Sequence, residues 1–212
     1  MKLYHGSKRT IEKPNFMGSK VDNDYGPAFY CTKEKDLAHE WACRNNSIGY
    51  VNIYELRIEN LKILDLTNKE KYSPLNWIAI LMHFRSLGTN FAKFHKPELD
   101  YLEEHFYIDI SQYDIVIGYR ADDAYFRFPL EFIESRITLK QLENAFELGD
   151  LGIQYVLVSE KAISKLKYVG SEKSEVKHLN KYFERVSKAT EAFDKYPRDL
   201  NGTTFLDIVR GK

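Results

Sequence analysis

The sequence predicts an α+β fold in a single domain, on three observations. Short strand-like runs and separate helical stretches succeed one another without the regular alternation of a βαβ series. No internal repeat or low-complexity tract interrupts them. The 212 residues suffice to bury one substantial core, and nothing in them demands a second domain. The 15 Tyr and 13 Phe suit bulky core filling or ring-stacking surfaces, which composition alone does not separate.

Taken in order, Lys2 to His5 is a short strand. Residues 11–24, carrying Pro14, Asn15, Gly18 and Ser19, read as a loop able to fold over a ligand. Phe29 to Cys31 is a second strand, ended by Thr32, whose hydroxyl can cap a helix beginning at Lys33. Leu37, Ala38, Trp41 and Ala42 recur at helical spacing, which expects Trp41 on the inner face and Glu34, Lys35, His39 and Glu40 elsewhere. Tyr50 to Ile58 alternates as a strand, and Lys62 to Leu66 offers another. Ser73-Pro74 opens a helix with the apolar face Leu75, Ile78, Ala79, Met82 and the neighbouring Leu81, expected to end at Gly88. Pro97 opens a further helix to about Glu104, and Tyr113 to Tyr119 reads as a buried strand.

Thr138 and Gln141 fit a capping box for a helix closed by Gly149. Ile153 to Val158 is a strand, Ser159 caps a brief helix, and Leu166 to Val169 is a last short strand. Val176, Leu179, Phe183, Val186 and Phe193 give the charged segment from Ser174 to Tyr196 an amphipathic spacing. The expected organisation is one domain over 1–212, a core to residue 170 with residues 171–212 as a helix and tail packed on it.

Lys plus Arg (31) equals Asp plus Glu (31), so the overall balance gives no polyanion-binding surface, although local basic patches stay open. Cys31 and Cys43 show neither metal-ligand spacing nor a disulfide pattern, which fits structural thiols in a reducing cytoplasm. No run approaches the 18 or so apolar residues of a membrane span, and the amino terminus lacks the pattern of a secretory signal. No membrane association and no metal are expected. Asp122-Asp123 reads as a solvated strand-end turn rather than a metal pair, and His39 and His178 belong to polar helix faces.

Three separated strings then share one chemistry: Leu3-Tyr4-His5-Gly6-Ser7, Asp24-Tyr25-Gly26-Pro27-Ala28-Phe29-Tyr30-Cys31-Thr32, and Gly152-Ile153-Gln154-Tyr155-Val156-Leu157-Val158. A glycine after a strand histidine offers unshielded backbone groups to a carboxamide. A strand tyrosine with a second aromatic on the following helix offers ring faces to a cationic heterocycle. Such groups suit NAD, whose nicotinamide–ribose bond breaks through an oxocarbenium-like state while the ring departs neutral, so acid catalysis matters less than positioning and electrostatic support.

These residues resemble the diphtheria-toxin and poly(ADP-ribose) polymerase type of ADP-ribosyltransferase. Leu3-Tyr4-His5-Gly6-Ser7 is similar to its first motif, Gly26-Pro27-Ala28-Phe29-Tyr30 to its Gly-x-x-x-Tyr, and Trp41, eleven positions on, to its second aromatic. The strings Tyr113 to Asp123, Gly152-Ile153-Gln154 and Ser159 to Ala162 are similar to a bacterial family of predicted ADP-ribosyltransferases whose members often sit beside a small partner gene, as in toxin-antitoxin pairs. That second resemblance runs from Leu3 to about Arg210. It implies an ADP-ribosyltransferase-like fold of two small, mainly antiparallel sheets forming an NAD cleft, with peripheral helices. It further implies a mono-ADP-ribosyltransferase, a toxin, with NAD as co-substrate, a protein or nucleic-acid acceptor, and a small antitoxin partner.

Carried over by residue, the resemblance implies that His5 bonds the adenosine ribose, Gly6 pairs with the nicotinamide amide, and Tyr30 and Trp41 hold its ring. Ser7 contacts the amide or a ribose, and Gln154 stands where the well-studied transferases place a catalytic glutamate. Glutamine keeps one acceptor and loses the charge. Losing one preorganised electrostatic contact costs about a hundredfold or more in rate, so chain elongation is not expected, and Gln154→Glu is expected to raise nicotinamide release. Lys8, Arg9 and Lys20 are candidates to neutralise the pyrophosphate. Each residue also has an ordinary reading: His5 as a core histidine, Tyr30 and Trp41 as packing aromatics, Gln154 as a polar residue at a wet cleft. The alternatives to transfer are a catalytically weak or inactive NAD-binding module and an NAD glycohydrolase.

Overall fold

Strand β1 (Lys2–Ser7) pairs along its whole length with β3 (Gly49–Leu56) but meets β2 (Phe29–Thr32) at one position, Tyr4 opposite Thr32. That single pair joins two halves of a seven-stranded mixed sheet, counted among the described residues of this computed structural model, which are 1–15, 19–121, 126–147, 152–197 and 199–211. With β4 (Ile63–Asp65), β5 (Ile115–Gly118), β6 (Gln154–Leu157) and β7 (Leu166–Ser174), the strand order is β4-β5-β6-β2-β1-β3-β7. All neighbours are antiparallel except β4 and β5. The class is the α+β one expected. The expected pair of separate sheets is corrected to one sheet, which the Tyr4–Thr32 contact holds continuous while the strands part on either side of it.

Strand alternation sorts the side chains onto two faces. On one, Val156 of β6 and Val116 of β5 pack against α2 (Pro74–Phe84), α4 (Lys96–Phe106), α5 (Arg127–Ile133), α6 (Leu139–Glu147) and α9 (Phe205–Val209), in a core that includes Trp77, Ile80, Phe128, Phe132 and Phe205. On the other, Leu3, Phe29, Tyr54, Tyr155 and Leu157 form a smaller core closed by Ala162 of α7 (Glu160–Ser164). α1 (Lys35–Ala42) lies across β1 and β3 so closely that a Cβ on Gly6 would stand 2.2 Å from the carbonyl oxygen of Ala38. Only glycine permits that approach.

Local signals set most boundaries. Ser73 and Asn76 form a capping box around Pro74 at the start of α2. Thr138 accepts from the Gln141 amide at 3.3 Å while its own amide donates to the Gln141 side chain at 3.0 Å. Ser159 accepts from the Ala162 amide at 3.0 Å. Gly149 lies outside the described residues, as do Asp122 and Asp123.

Four expectations change. α1 begins at Lys35 rather than Lys33, because Thr32 bonds the Glu34 amide and the chain enters the helix two residues later. Trp41 is 41 % exposed, and the inner position goes to Glu40, 7 % exposed, which pairs with Arg185 of α8 (Lys177–Asp194). α2 stops at Phe84, Arg85 being extended, and Gly88 precedes the short helix α3 (Thr89–Phe94). β7 runs past residue 170 to Ser174, so the last part of the sheet lies beyond the expected core limit.

A basic cleft at the sheet seam as candidate functional site

Where β1 and β2 part, a cleft of about 500 Å³ opens through the sheet, lined by residues from β1, β2, β6, α1 and the loops around them. His5, Gly6, Tyr30, Trp41 and Gln154 all line it. Register explains the convergence: Thr32 lies opposite Gln154, and Tyr30 opposite Val156, which puts Tyr30, Thr32 and Gln154 on one face. His5 falls on the other face, stacked on Phe29 with ring centroids 4.4 Å apart. The open seam lets one cavity touch both.

His5 Nδ1 lies 2.6 Å from the Tyr30 carbonyl oxygen. A carbonyl only accepts, so Nδ1 carries the proton and Nε2 is left as an acceptor. Burial lowers the pKa of the imidazole, against a smaller opposing effect of that bond, which keeps the ring neutral. The Tyr30 hydroxyl donates to the Gly26 carbonyl at 2.6 Å and accepts from the Tyr25 amide at 3.2 Å. It thereby closes the turn at Gly26, whose φ of 67° is left-handed. Burial raises the Tyr30 pKa, so the phenol stays protonated.

Ser7 does not line the cleft: its hydroxyl donates to the Arg9 carbonyl at 2.5 Å and accepts from Asn52 at 2.8 Å. Trp41 reaches the cleft, but the guanidinium carbons of Arg120 and Arg44 lie 4.3 and 4.4 Å from its ring centroid, stacked as cation–π pairs. Lys8 and Lys20 lie outside the lining, and Arg9 is in it.

Two buried polar residues escaped the sequence reading. Asn52, fully buried on β3, donates to the His5 carbonyl at 3.3 Å, the Ser7 hydroxyl at 2.8 Å and the Arg9 carbonyl at 3.3 Å, and accepts from the Ile11 amide at 2.7 Å. It ties the loop after β1 to the sheet, and its signal was an amide inside the apolar run Val51-Asn52-Ile53. Asp24, 7 % exposed, accepts on Oδ2 from the Ala121 amide at 2.9 Å and from Gln154 Nε2 at 3.0 Å. Burial pushes its pKa up to about 6, opposed by the Ala121 bond, Arg85, the Gln154 bond and Arg120. No spacing rule separates such an aspartate from a turn residue.

Gln154 is 9 % exposed, and its Oε1 has no partner among the described residues. A buried acceptor without a donor costs roughly 1–3 kcal/mol, and here it borders a cavity. Arg9, Lys13, Arg44, Arg85 and Arg120 also line the cleft, against Asp24 as its one acidic lining residue among those described. A chain of zero net charge thus gathers its cations where an anion would sit. Among the described residues, no cluster of three or more His, Cys, Asp or Glu could hold a metal ion. Cys31 and Cys43 are buried free thiols. None of the described helices is long and apolar enough to cross a membrane.

The fold and site define a class: an α+β protein whose sheet parts at a seam to form a cation-lined cleft. Residues 1–168 match the model of the family described as "Protein of unknown function (DUF3990)", and the chain belongs to that family. Comparison with curated proteins and with solved structures gave no match to either.

Proposed function

We propose that the cleft binds NAD and that the protein is a mono-ADP-ribosyltransferase acting on a macromolecular acceptor. The observation that carries this reading is the convergence of His5, Gly6, Tyr30, Trp41 and Gln154, from three separated strings, on one cavity. Its volume of about 500 Å³ falls in the range of small-molecule sites, and the five cations suit a pyrophosphate. The orphaned Oε1 of Gln154 suits a ribose hydroxyl, as does His5 Nε2, which the Nδ1 bond to Tyr30 leaves as an acceptor.

In this reaction the bond between ribose C1 and the nicotinamide nitrogen breaks, nicotinamide leaves neutral with the bonding pair, and an acceptor nucleophile bonds C1 and gives up its proton. The protein contributes position and electrostatics. His5 Nε2 accepts from one ribose, Gln154 Oε1 accepts from the other, and the arginines balance the phosphates. Tyr30 and the Gly6 backbone bound the nicotinamide end. Trp41, already stacked with two guanidinium groups, presents a cationic platform more than a bare ring face. The wider reading, a toxin restrained by a small partner protein, rests on the sequence resemblance.

Purified protein given NAD labelled on the adenylate is expected to transfer label to a cell extract, and His5→Ala or Tyr30→Ala to abolish the transfer. NAD binding without label transfer or nicotinamide release makes the protein a binding module, the reading favoured by the missing glutamate at 154. Nicotinamide release without transfer makes it a glycohydrolase. No binding at all sinks every NAD reading. Growth arrest on expression, absent for His5→Ala, tests the toxin.

A further inference from the structure

Gln154 is the least explained residue of the cleft: its amide could face either way about the last side-chain torsion, yet one orientation alone satisfies its surroundings. Nε2 must donate to Asp24 Oδ2 at 3.0 Å, since the reverse orientation would set two acceptors against each other. That leaves Oε1 turned away from Asp24, buried and without a donor among the described residues. Oδ2 is itself fixed by the Ala121 amide at 2.9 Å, and the turn carrying Asp24 is closed by the Tyr30 hydroxyl.

We propose that Asp24 is the positioning residue of this site: by accepting from Gln154 Nε2 it orients the amide so that Oε1 meets the ribose hydroxyl beside the breaking bond, and its negative charge strengthens that acceptor. This rests on the NAD reading above. A carboxylate hydrogen-bonded to the amide N–H draws electron density toward the carbonyl oxygen, as in any polarised hydrogen-bond chain. The pair Asp24–Gln154 therefore supplies, across two residues, an oriented acceptor backed by one negative charge. The arrangement has a cost, because Asp24 is buried. The groups facing it are Arg85 after α2, with Nη1 3.9 Å from Oδ1, Arg120 after β5, Gln154 of β6, and the phenols of Tyr25 and Tyr30. The arginines moderate the cost without removing it, since the carboxyl still titrates at about 6.

The test compares wild type with Asp24→Asn, which keeps an oxygen for both amide donors and drops the charge. NAD affinity by calorimetry, nicotinamide release by chromatography, and the side-chain amide resonance of Gln154 by NMR are each followed from pH 5 to 8. The expected result is NAD affinity within about threefold of wild type and release slowed by about ten- to a hundredfold, the scale of lost outer-sphere support. Wild-type release and the Gln154 resonance should change together with a midpoint near 6, and the variant's release should lose that inflection. Release and pH profile unchanged in Asp24→Asn overturn the inference and leave the proposed function standing. Wild type that binds NAD without releasing nicotinamide, or fails to bind it, overturns both. Should Asp24→Asn not fold, the wild-type midpoints decide: a release profile that ignores the Gln154 titration overturns the positioning role.

Discussion

Gln154 on β6 donates its side-chain amide to Asp24 at 3.0 Å, across 130 residues of chain, and both border the cleft where the sheet divides. Gln154 keeps an orphaned Oε1 there, and Asp24 is the one acidic lining residue among those described. Because the carboxylate is held where water cannot fully reach it, the pair has consequences for stability as well as chemistry.

Asp24 is the first of these. Its folded-state pKa stands at about 6, above the 3.8 of an ordinary aspartate, so the folded protein binds this proton more tightly than the unfolded chain does. The resulting stabilisation is complete below pH 3.8 and is lost as pH rises through about 6. At pH 7.5 the ionised carboxylate burdens the fold by on the order of 2–3 kcal/mol. Asp24→Asn should therefore melt higher than wild type at pH 7.5, with the gain gone by about pH 4. A variant less stable at pH 7.5 than at pH 4, relative to wild type, contradicts this.

Gln154→Glu, which sequence alone expects to raise nicotinamide release, meets Asp24 in the structure. Two carboxylates at hydrogen-bond distance hold a shared proton and titrate as a pair. The single variant should shift the pH–rate profile upward and melt at lower temperature above neutrality. The exchange Asp24→Asn with Gln154→Glu returns one charge and one amide, and should release nicotinamide at least as fast as wild type. Identical pH profiles for wild type and Gln154→Glu would show that the two side chains do not share a proton.

Arg120 stacks on Trp41 at the cleft. Binding of ADP-ribose should therefore alter tryptophan fluorescence through Trp41, since Trp77 is buried at 2 % exposure. Trp41→Phe should remove the signal, and Arg120→Ala should weaken binding roughly tenfold at low salt, less at high salt. A signal that survives Trp41→Phe assigns it elsewhere.

Gly6→Ala tests why the motif carries glycine. The new Cβ would lie 2.2 Å from the Ala38 carbonyl oxygen and 2.7 Å from the Ala42 amide, both backbone atoms of α1. The expected loss is about 1–3 kcal/mol, the cost of overpacking a core. A melting temperature equal to wild type would mean that α1 yields easily, and that the glycine answers only to a ligand.

The elements with local signals were legible in the sequence. Thr138 with Gln141, Ser73 with Pro74, and Ser159 each bond an amide within four residues, so spacing alone locates them. Helical periodicity misplaced Trp41 and Glu40 because it weighs hydrophobicity on one helix. Which flank is covered depended on α8, whose Arg185 pairs with Glu40 from 145 residues away. Gly88 looked like a helix stop, but the chain leaves α2 at Arg85, which lies 3.9 Å from Asp24. Asn52 and Asp24 had no pattern to announce them, since their partners, Ile11 and Gln154, are distant in sequence.

The amino-acid sequence by itself determined the α+β class and most strands and caps, because periodicity and capping act over a few neighbouring residues, while its motif resemblance singled out His5, Gly6, Tyr30, Trp41 and Gln154, which line one cleft. Tertiary structure alone decided that a single pair between β1 and β2 joins the two halves of one sheet, that arginines occupy the face of Trp41, and that Gln154 bonds a buried Asp24. Those outcomes depend on strand register and on charges brought together from remote positions, and a buried hydrogen bond exists only once the fold has excluded the water that would otherwise take its place.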